Sequence, residues 1–409
     1  AAAERRGAQL WGADWCRYST GGSTHANQVA ALAVASPGQT VLVARTAHRS
    51  TVSALVLAGL APVWLTAEVD TASRLPTGLD LAALADALAA HPDAAAVFCV
   101  EPGYVGTVSD LPAVVALAHD HGVPVVVDQA WGAHFGFHPA YPRHALAAGA
   151  DVLITSAHKT LPAYSQAAIV LARTSRLDAA RLDRAVDLSA TTSPSGAILA
   201  SIDAARALLG APLGRDLLAR LAELVGAARA RLHDSGIATL DPGAFAAGRF
   251  DPAKLVVLLD RGDGNAIERE LIGAGVPVEQ ADRDMLVPIV TMLDDETTID
   301  RLCTVLEHAS QGTPRARTAS PVWTAAAPPS AISPRDAFFG PHEVVPAAQA
   351  VGRVSAEMIA PYPPGIPVLV PGELITAEML DTLAQVAAGG ARIAYARDAT
   401  LRTFEVVIE

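Results

Sequence analysis

Short runs of valine, alanine and leucine alternate with helix-type patterns through the first half of the chain. The strand-like runs are 41–44, 62–65, 96–100, 123–128 and 152–155. Between them, segments such as 81–88 and 111–119 repeat apolar residues at helical spacing. Because continuously apolar strands need helices on both faces, this alternation predicts an α/β fold with a doubly wound, mostly parallel sheet. Ligands bind outside the carboxyl ends of the strands in such sheets.

The length of 409 residues predicts more than one unit. We predict a major domain over 1–205 and a small α/β domain over 206–310. A long helical region over about 197–233 is expected to lead from the first domain to the second. The stretch 311–333 is rich in Pro, Ser, Thr and Ala without periodicity, which predicts a linker. A third, C-terminal unit is expected over 334–409.

Bulk composition excludes several classes of protein. A net charge of −12 argues against nucleic acid as the main partner. The sequence has no run of about 18 apolar residues and no basic-then-apolar leader, so we expect no membrane span or secretion signal. The three cysteines, Cys16, Cys99 and Cys303, have no paired spacing. We therefore expect reduced, buried thiols in a cytoplasmic protein.

Lysine is nearly absent from this chain. Only Lys159 and Lys254 occur among its 30 basic residues. A guanidinium keeps its proton, whereas a lysine amine can lose its charge and bond covalently to an aldehyde. Lys159 ends the segment 151–159, which reads as a buried strand running into a loop. Lys254 follows Phe-Asp-Pro-Ala and is expected at the exposed start of a strand.

A carboxylate occupies the corresponding place one strand earlier. The apolar run 123–127 ends on Asp128. An amine and an acid at the carboxyl ends of successive parallel strands suit pyridoxal phosphate (PLP), because the amine holds the aldehyde and the carboxylate keeps the pyridine nitrogen protonated. The sequence thus predicts PLP as cofactor, with Lys159 and Asp128 as its main partners. A solvated strand-end carboxylate is the alternative for Asp128, but it leaves the pairing with Lys159 unexplained.

A glycine- and hydroxyl-rich segment precedes the helical pattern over 26–35. Gly22 allows close backbone approach, Ser23 and Thr24 carry hydroxyl donors, and a helix N-terminus favours anions. These three residues can therefore bind the cofactor phosphate. An ordinary N-cap is the alternative, since Ser and Thr are common there.

The segment Ser156-Ala-His-Lys-Thr-Leu-Pro-Ala-Tyr-Ser-Gln166 resembles the cofactor-lysine motif of the bacterial ornithine/lysine/arginine decarboxylases. Those enzymes have the type I PLP fold of aspartate aminotransferase. Other strings similar to that family follow in the same order over most of the chain, at 22–27, 45–50, 108–111, 132–139, 191–195, 360–367 and 371–373.

The resemblance implies roles for individual residues. His48 would stack on the pyridine ring, with Ala130 against the opposite face, and Asp128 would pair with the ring nitrogen. Ser156 and His158 would help hold the phosphate. It also implies a homodimer with the active site at the subunit interface.

The activity implied is α-decarboxylation of arginine, lysine or ornithine to a polyamine precursor. We expect Trp131 and Glu357 on the substrate side. Glu357 is the only carboxylate of the segment 357–364, which resembles a C-terminal segment near the family's active-site entrance, and a distal cation needs an opposing carboxylate. A surface charge is the alternative for Glu357. Pro102-Gly-Tyr-Val-Gly106 departs from the family's Pro-Thr-Tyr-Tyr-Gly. Two further alternatives stay open, namely another type I PLP reaction (an aminotransferase or aldolase-like lyase) and a non-catalytic PLP-binding homologue.

Two histidines four residues apart, His134 and His138, could suggest a metal site. They lie in a stretch interrupted by Gly and Pro, with no third ligand nearby. We therefore predict no metal.

Overall fold

The structure is a computed structural model that describes residues 1–71, 73–317, 327–362 and 364–408. Part of the predicted linker, 318–326, lies outside the described residues. The boundaries between the predicted domains stay predictions.

A seven-stranded sheet organises the first part of the chain. The first nine strands are β1 Trp15–Ser19, β2 Thr40–Ala44, β3 Ala61–Leu65, β4 Ala67–Val69, β5 Pro76–Leu79, β6 Val97–Val100, β7 Val125–Asp128, β8 Val152–Ser156 and β9 Ala168–Ala172. The sheet order is β1-β9-β8-β7-β6-β2-β3, and β4 pairs with β5 in a separate hairpin. Strands β3, β2, β6, β7 and β8 are mutually parallel, and β9 is antiparallel to its neighbours.

Helices cover both faces of this sheet, so the predicted doubly wound α/β class is confirmed. Strand β2 shows why, since Leu42 packs into one core while Val41 and Val43 pack into the other. Asp80 and Asp110 accept hydrogen bonds from the first turns of the helices that they precede. The helices of this part are α1 Ala2–Trp11, α2 Gly22–Val34, α3 Arg49–Ala58, α4 Leu81–Ala90, α5 Leu111–Asp120, α6 Ala157–Thr160 and α7 Ala179–Ser189.

The long helical region predicted over 197–233 is broken. Helices α8 (Gly196–Leu209) and α9 (Pro212–Asp234) meet at 80°. Pro212 explains the break, because proline begins a helix readily but cannot continue one. Among the described residues no single helix is long and apolar enough to cross a membrane. Helices α8 and α9 reach the necessary length and apolar composition only when the bent pair is taken together.

Two smaller sheet regions follow. The first is an antiparallel sheet with strand order β10-β11-β13-β12, whose elements are β10 Ala238–Thr239, the 3-10 helix Pro242–Ala244, β11 Val257–Leu258, α10 Gly264–Gly273, β12 Gln280–Asp282, β13 Met285–Val287 and α11 Glu296–Ala309. The second contains α12 Pro334–Phe339, β14 His342–Pro346, α13 Ala347–Ala350, β15 Ala360–Tyr362, α14 Ala377–Ala388, β16 Arg392–Ala394 and β17 Thr403–Val407. In it β14 pairs with β17 and β15 with β16 around a separate apolar core.

A buried ion pair attaches the C-terminal segment to the end of β2. Arg45 donates two hydrogen bonds to the Glu373 carboxylate, at 2.6 and 3.1 Å, and one to the Val368 carbonyl at 2.8 Å. Glu373 is 1% exposed, and the Arg45 guanidinium lies 4.9 Å from the centre of the Trp64 ring. This two-pronged contact places the C-terminal segment beside the carboxyl ends of the parallel strands.

Removing this pair is expected to destabilise the protein. Glu373→Gln leaves the largely buried Arg45 without its counter-charge, so we expect a loss of about 3 kcal/mol in the free energy of unfolding. Glu343→Gln is the matched control, because Glu343 pairs with Arg353 at the surface and should cost under about 1 kcal/mol. Urea unfolding followed by tryptophan fluorescence measures both. Equal losses of unfolding free energy in Glu373→Gln and Glu343→Gln would contradict a special role for the Arg45–Glu373 pair.

Candidate active site

A cavity of about 490 Å³ opens at the carboxyl ends of β2, β6, β7 and β8. This volume is in the range of small-molecule sites. Strand ends and the loops after them supply its floor, and Tyr362 and Ile366 of the C-terminal segment form part of its wall. The predicted cofactor residues that line it are Gly22, Ser23, Thr24, His48, Asp128, Ala130, Ser156, His158 and Lys159.

Lys159 lies in the short helix α6 rather than in the predicted loop, because the chain turns helical directly after β8. Its Nζ lies 4.1 Å from the centre of the Trp131 ring. Within the described residues it forms no hydrogen bond or ion pair. Burial lowers the pKa of Lys159, and the charges of Asp128 and Glu279 oppose that shift. The result is an amine that loses its proton more readily than an exposed lysine.

Asp128 ends β7 and is 5% exposed. Its carboxylate accepts one hydrogen bond from Asn27 Nδ2 at 2.8 Å and one from the Ala130 amide at 3.1 Å. Burial raises the pKa of Asp128, while the Asn27 bond, the charge of Lys159 and the Ala130 bond favour the ionised form. A cation brought against this buried carboxylate would be bound strongly.

Asn27 is a site residue that the sequence analysis did not assign. It is 1% exposed within α2, where its neighbours on the buried face are apolar, and its Nδ2 also donates to Ser50 Oγ at 3.1 Å. A lone amide on an apolar helical face is the signal that could have revealed it, since a buried amide needs partners.

His48 caps the start of α3. Its Nδ1 accepts from the Ser50 amide at 3.2 Å, which leaves the ring proton on Nε2 in the neutral form. Burial, followed by the charges of Lys159 and Arg49, lowers the pKa of His48 to about 3. The ring is therefore neutral at physiological pH. Gly365 of the C-terminal segment approaches so closely that a Cβ there would lie 3.2 Å from Nε2.

A polar corner joins the start of α2 to the end of β8. The hydroxyls of Ser23 and Ser156 are hydrogen-bonded at 2.7 Å. Gly22 has φ +69°, a left-handed conformation that glycine adopts without strain, and its amide donates to the Gln166 carbonyl at 2.8 Å. The first-turn amides of Ser23 and Thr24 remain available, as helix-start amides do. This corner has the donors that a phosphate requires.

Lys254 is not at an exposed strand start, so that prediction was wrong. It is 6% exposed, and its Nζ lies 3.9 Å from the centre of the Trp131 ring. The turn before β11 packs against Gly106, where a Cβ would lie 2.7 Å from Lys254 Cβ, and this packing buries the side chain. Burial lowers the pKa of Lys254 to about 8. Both lysines of the chain thus contact one indole.

Glu357 does not reach the cavity. It is 4% exposed, and its carboxylate accepts hydrogen bonds from the amides of Arg397 and Glu405, each at 2.8 Å. These bonds hold two backbone segments of the C-terminal region together, so Glu357 is neither a surface charge nor, in this structure, a substrate contact. Glu279, which the sequence analysis did not single out, lines the cavity instead.

The two histidines considered for a metal are engaged elsewhere. His134 is buried and its Nε2 lies 3.1 Å from Asp251 Oδ1, while His138 Nδ1 accepts from the Ala140 amide. The described residues contain no group of three His, Cys, Asp or Glu side chains that could hold a metal. All three cysteines are buried and free.

The donor set fits PLP. One cavity contains an unpaired amine, a buried carboxylate and a corner of hydroxyl and amide donors, which match the aldehyde, pyridine nitrogen and phosphate of the cofactor. Together with the mostly parallel sheet, these residues define the class of type I PLP enzymes.

Comparison with known proteins narrows this class. The family model described as "Orn/Lys/Arg decarboxylase, major domain" matches residues 1–245, and the C-terminal domain model of that family matches residues 321–392. This chain belongs to the Orn/Lys/Arg decarboxylase family. Its cofactor is PLP and its reaction is the decarboxylation of a basic amino acid.

Relatives match almost the whole chain. It is 34% identical to the arginine decarboxylase of Halalkalibacterium halodurans, over all of this chain and 85% of the relative. It is 33% identical to the arginine decarboxylase of Bacillus subtilis, over 98% of this chain and 84% of the relative. The solved lysine decarboxylase of Francisella novicida has a TM-score of 0.83 at 19% identity, covering 99% of this chain and 71% of that one, which shows the shared fold.

Proposed function

We propose that this chain converts arginine to CO₂ and agmatine, the amine that remains when arginine loses its carboxylate. Decarboxylation of a basic amino acid follows from the family, and the choice of arginine is supported by the near full-length similarity to arginine decarboxylases. The observation that carries the proposal for the site is the unpaired amine of Lys159, which shares one cavity with the buried Asp128.

Lys159 is proposed to hold the cofactor covalently. Its amine has no competing partner in the described structure, and burial favours the uncharged form that attacks an aldehyde. With the substrate amine bonded to the cofactor in its place, Lys159 Nζ would be free to accept a proton within the same cavity. It can then carry the proton that replaces CO₂.

Asp128 is proposed to keep the pyridine nitrogen protonated. Bound PLP supplies an electron sink for the electron pair left by CO₂, and the sink depends on that proton. The hydrogen bonds from Asn27 and Ala130 fix both carboxylate oxygens and favour the charged form of the acid. The neutral His48 and the small Ala130 suit the two flat faces of the ring, since both line the cavity near Asp128.

The phosphate is assigned to the corner formed by Gly22, Ser23, Thr24, Ser156 and His158. His158 Nδ1 lies 2.8 Å from the Ala167 carbonyl and donates to it, so Nε2 carries a hydrogen only when the ring is protonated. Burial lowers the pKa of His158, whereas a phosphate dianion would favour the protonated ring. His158 therefore completes the corner as a donor once the phosphate is bound.

Trp131 is proposed to form the substrate-side wall. Its ring contacts Lys159 on the cavity side and is 6% exposed, so it excludes water from the reacting amine. Dry surroundings strengthen the electrostatic interactions on which Lys159 and Asp128 depend.

A competition assay tests the substrate. The PLP-loaded protein is incubated with equal concentrations of arginine, lysine and ornithine, and the amines are quantified by mass spectrometry. We expect agmatine to dominate by about tenfold or more, since a change of about 1.4 kcal/mol in transition-state binding gives that ratio. Predominant cadaverine or putrescine would overturn the choice of arginine and leave the decarboxylase assignment intact.

A homodimer is proposed on the family resemblance. The cavity wall contains Tyr362, which is 42% exposed, so a second subunit has an accessible surface to contact at the site. Sedimentation velocity should give twice the chain mass of 42.1 kDa. A monomer that is fully active would overturn this assembly.

A further inference from the structure

Three carboxylates among the described residues line the active-site cavity, and two of them are fully engaged. Both oxygens of Asp128 accept hydrogen bonds from the protein. Glu101 is 2% exposed and accepts from both the amide and the hydroxyl of Ser109, and burial raises the pKa of Glu101 to about 7. Asp128 is assigned to the pyridine nitrogen of the cofactor, and both oxygens of Glu101 are bound to Ser109, so neither carboxylate is left for the distal cation of the substrate.

Glu279 differs from both. Its Oε1 accepts from the Tyr104 hydroxyl at 2.7 Å, and its Oε2 has no hydrogen-bond partner within the described residues. In the same part of the chain no Arg, Lys or His nitrogen lies within ion-pair distance of it. A half-buried carboxylate with an open oxygen at a cavity wall is suited to an incoming cation.

The surroundings of Glu279 also suit a cation. Tyr362 lines the same cavity, and aromatic faces attract ammonium and guanidinium groups, whereas the Tyr104 ring already has Lys254 Nζ at 5.3 Å from its centre. The Tyr104 ring lies 5.6 Å from the Trp131 ring in an edge-to-face arrangement, and Trp131 in turn contacts Lys159. Contacts therefore link Lys159 to Glu279 through Trp131 and Tyr104.

We propose that Glu279, oriented by Tyr104, binds the distal cation of the substrate. This inference deepens the proposed function and rests on it. A cation leaving water needs an opposing charge, and the open oxygen of Glu279 supplies one from this chain itself. A positively charged guanidinium gains more from this carboxylate than a neutral group of the same shape does, which favours arginine over a substrate with a neutral end.

Glu279→Gln tests the proposal with arginine and citrulline, which differ in a charged guanidinium against a neutral urea of the same shape. We expect kcat/KM for arginine to fall at least tenfold through KM, while kcat/KM for citrulline does not fall. Tyr104→Phe should also lower kcat/KM for arginine relative to kcat/KM for citrulline, but by a smaller factor. Glu270→Gln, an exposed carboxylate on α10 outside the cavity, is the matched control and should leave both values unchanged.

Equilibrium binding separates this proposal from the proposed function. Agmatine carries the guanidinium and has no carboxylate to lose, so calorimetry on the PLP-loaded protein reports the distal site without turnover. We expect Glu279→Gln to bind agmatine at least tenfold more weakly than the wild-type protein does. The cofactor absorbance of the variant should equal that of the wild-type protein. Unchanged binding, or an equal fall for arginine and citrulline, would overturn the role of Glu279. Wild-type protein that binds agmatine but releases no CO₂ from arginine would overturn the function and support the subsite.

Discussion

Replacement of Lys159 by alanine is expected to abolish covalent capture of PLP and to reduce CO₂ release by roughly a thousandfold or more. No other lysine can take its place, because Lys254 lies against Trp131 in a buried position outside the lining of the active-site cavity. The yellow absorbance of the lysine-bound cofactor and CO₂ release from arginine measure the two effects.

Lys254→Met is the control for this experiment. Methionine fills a similar volume without an amine, so the packing against Trp131 is largely kept. We expect this variant to retain the yellow absorbance. Borohydride reduction followed by peptide mapping identifies the attached lysine directly, and cofactor found on Lys254 would overturn the assignment of Lys159.

Asp128→Asn is expected to keep PLP bound but to lose most of the catalysis. Asparagine retains an oxygen that can accept from Asn27 and loses only the hydrogen bond from the Ala130 amide, so the site should stay folded. Its neutral amide no longer stabilises a proton on the pyridine nitrogen, which weakens the electron sink. We expect a loss of roughly a hundredfold or more in kcat, with cofactor affinity changed far less.

Cofactor content and single-turnover CO₂ release separate these two effects for Asp128→Asn. A variant that loses the cofactor altogether would indicate a binding role, and turnover near that of the wild-type protein would refute the assignment of Asp128.

The part of the site built on the parallel sheet was accessible from sequence. Predicted strands 123–128 and 152–155 correspond to β7 and β8 within two residues at either end. Since β7 and β8 are parallel neighbours, Asp128 and the residues after Ser156 emerge at one edge. Long apolar runs identify such strands reliably because both faces are buried. The edge on which a ligand binds then follows from topology.

The residues contributed by later parts of the chain were not accessible in this way. Strands β11 and β12 have two and three residues, too few to show a period, so neither the burial of Lys254 nor the position of Glu279 could be derived. Glu357 was predicted to contact the substrate because it is the carboxylate of a family-like segment. Its hydrogen bonds come instead from residues 40 and 48 positions away. Such contacts depend on tertiary packing, which local pattern does not encode.

We propose that the reaction removes the α-carboxylate of arginine and replaces it with a solvent proton. Reaction of the PLP-loaded protein with arginine in D₂O, with the products analysed by NMR and mass spectrometry, tests it most directly. We expect CO₂ and agmatine in equal amounts, with one deuteron on the carbon that carried the carboxylate. Formation of the 2-oxo acid, cleavage of the side chain from the α-carbon, or α-deuteration of arginine without CO₂ release would contradict the decarboxylase account.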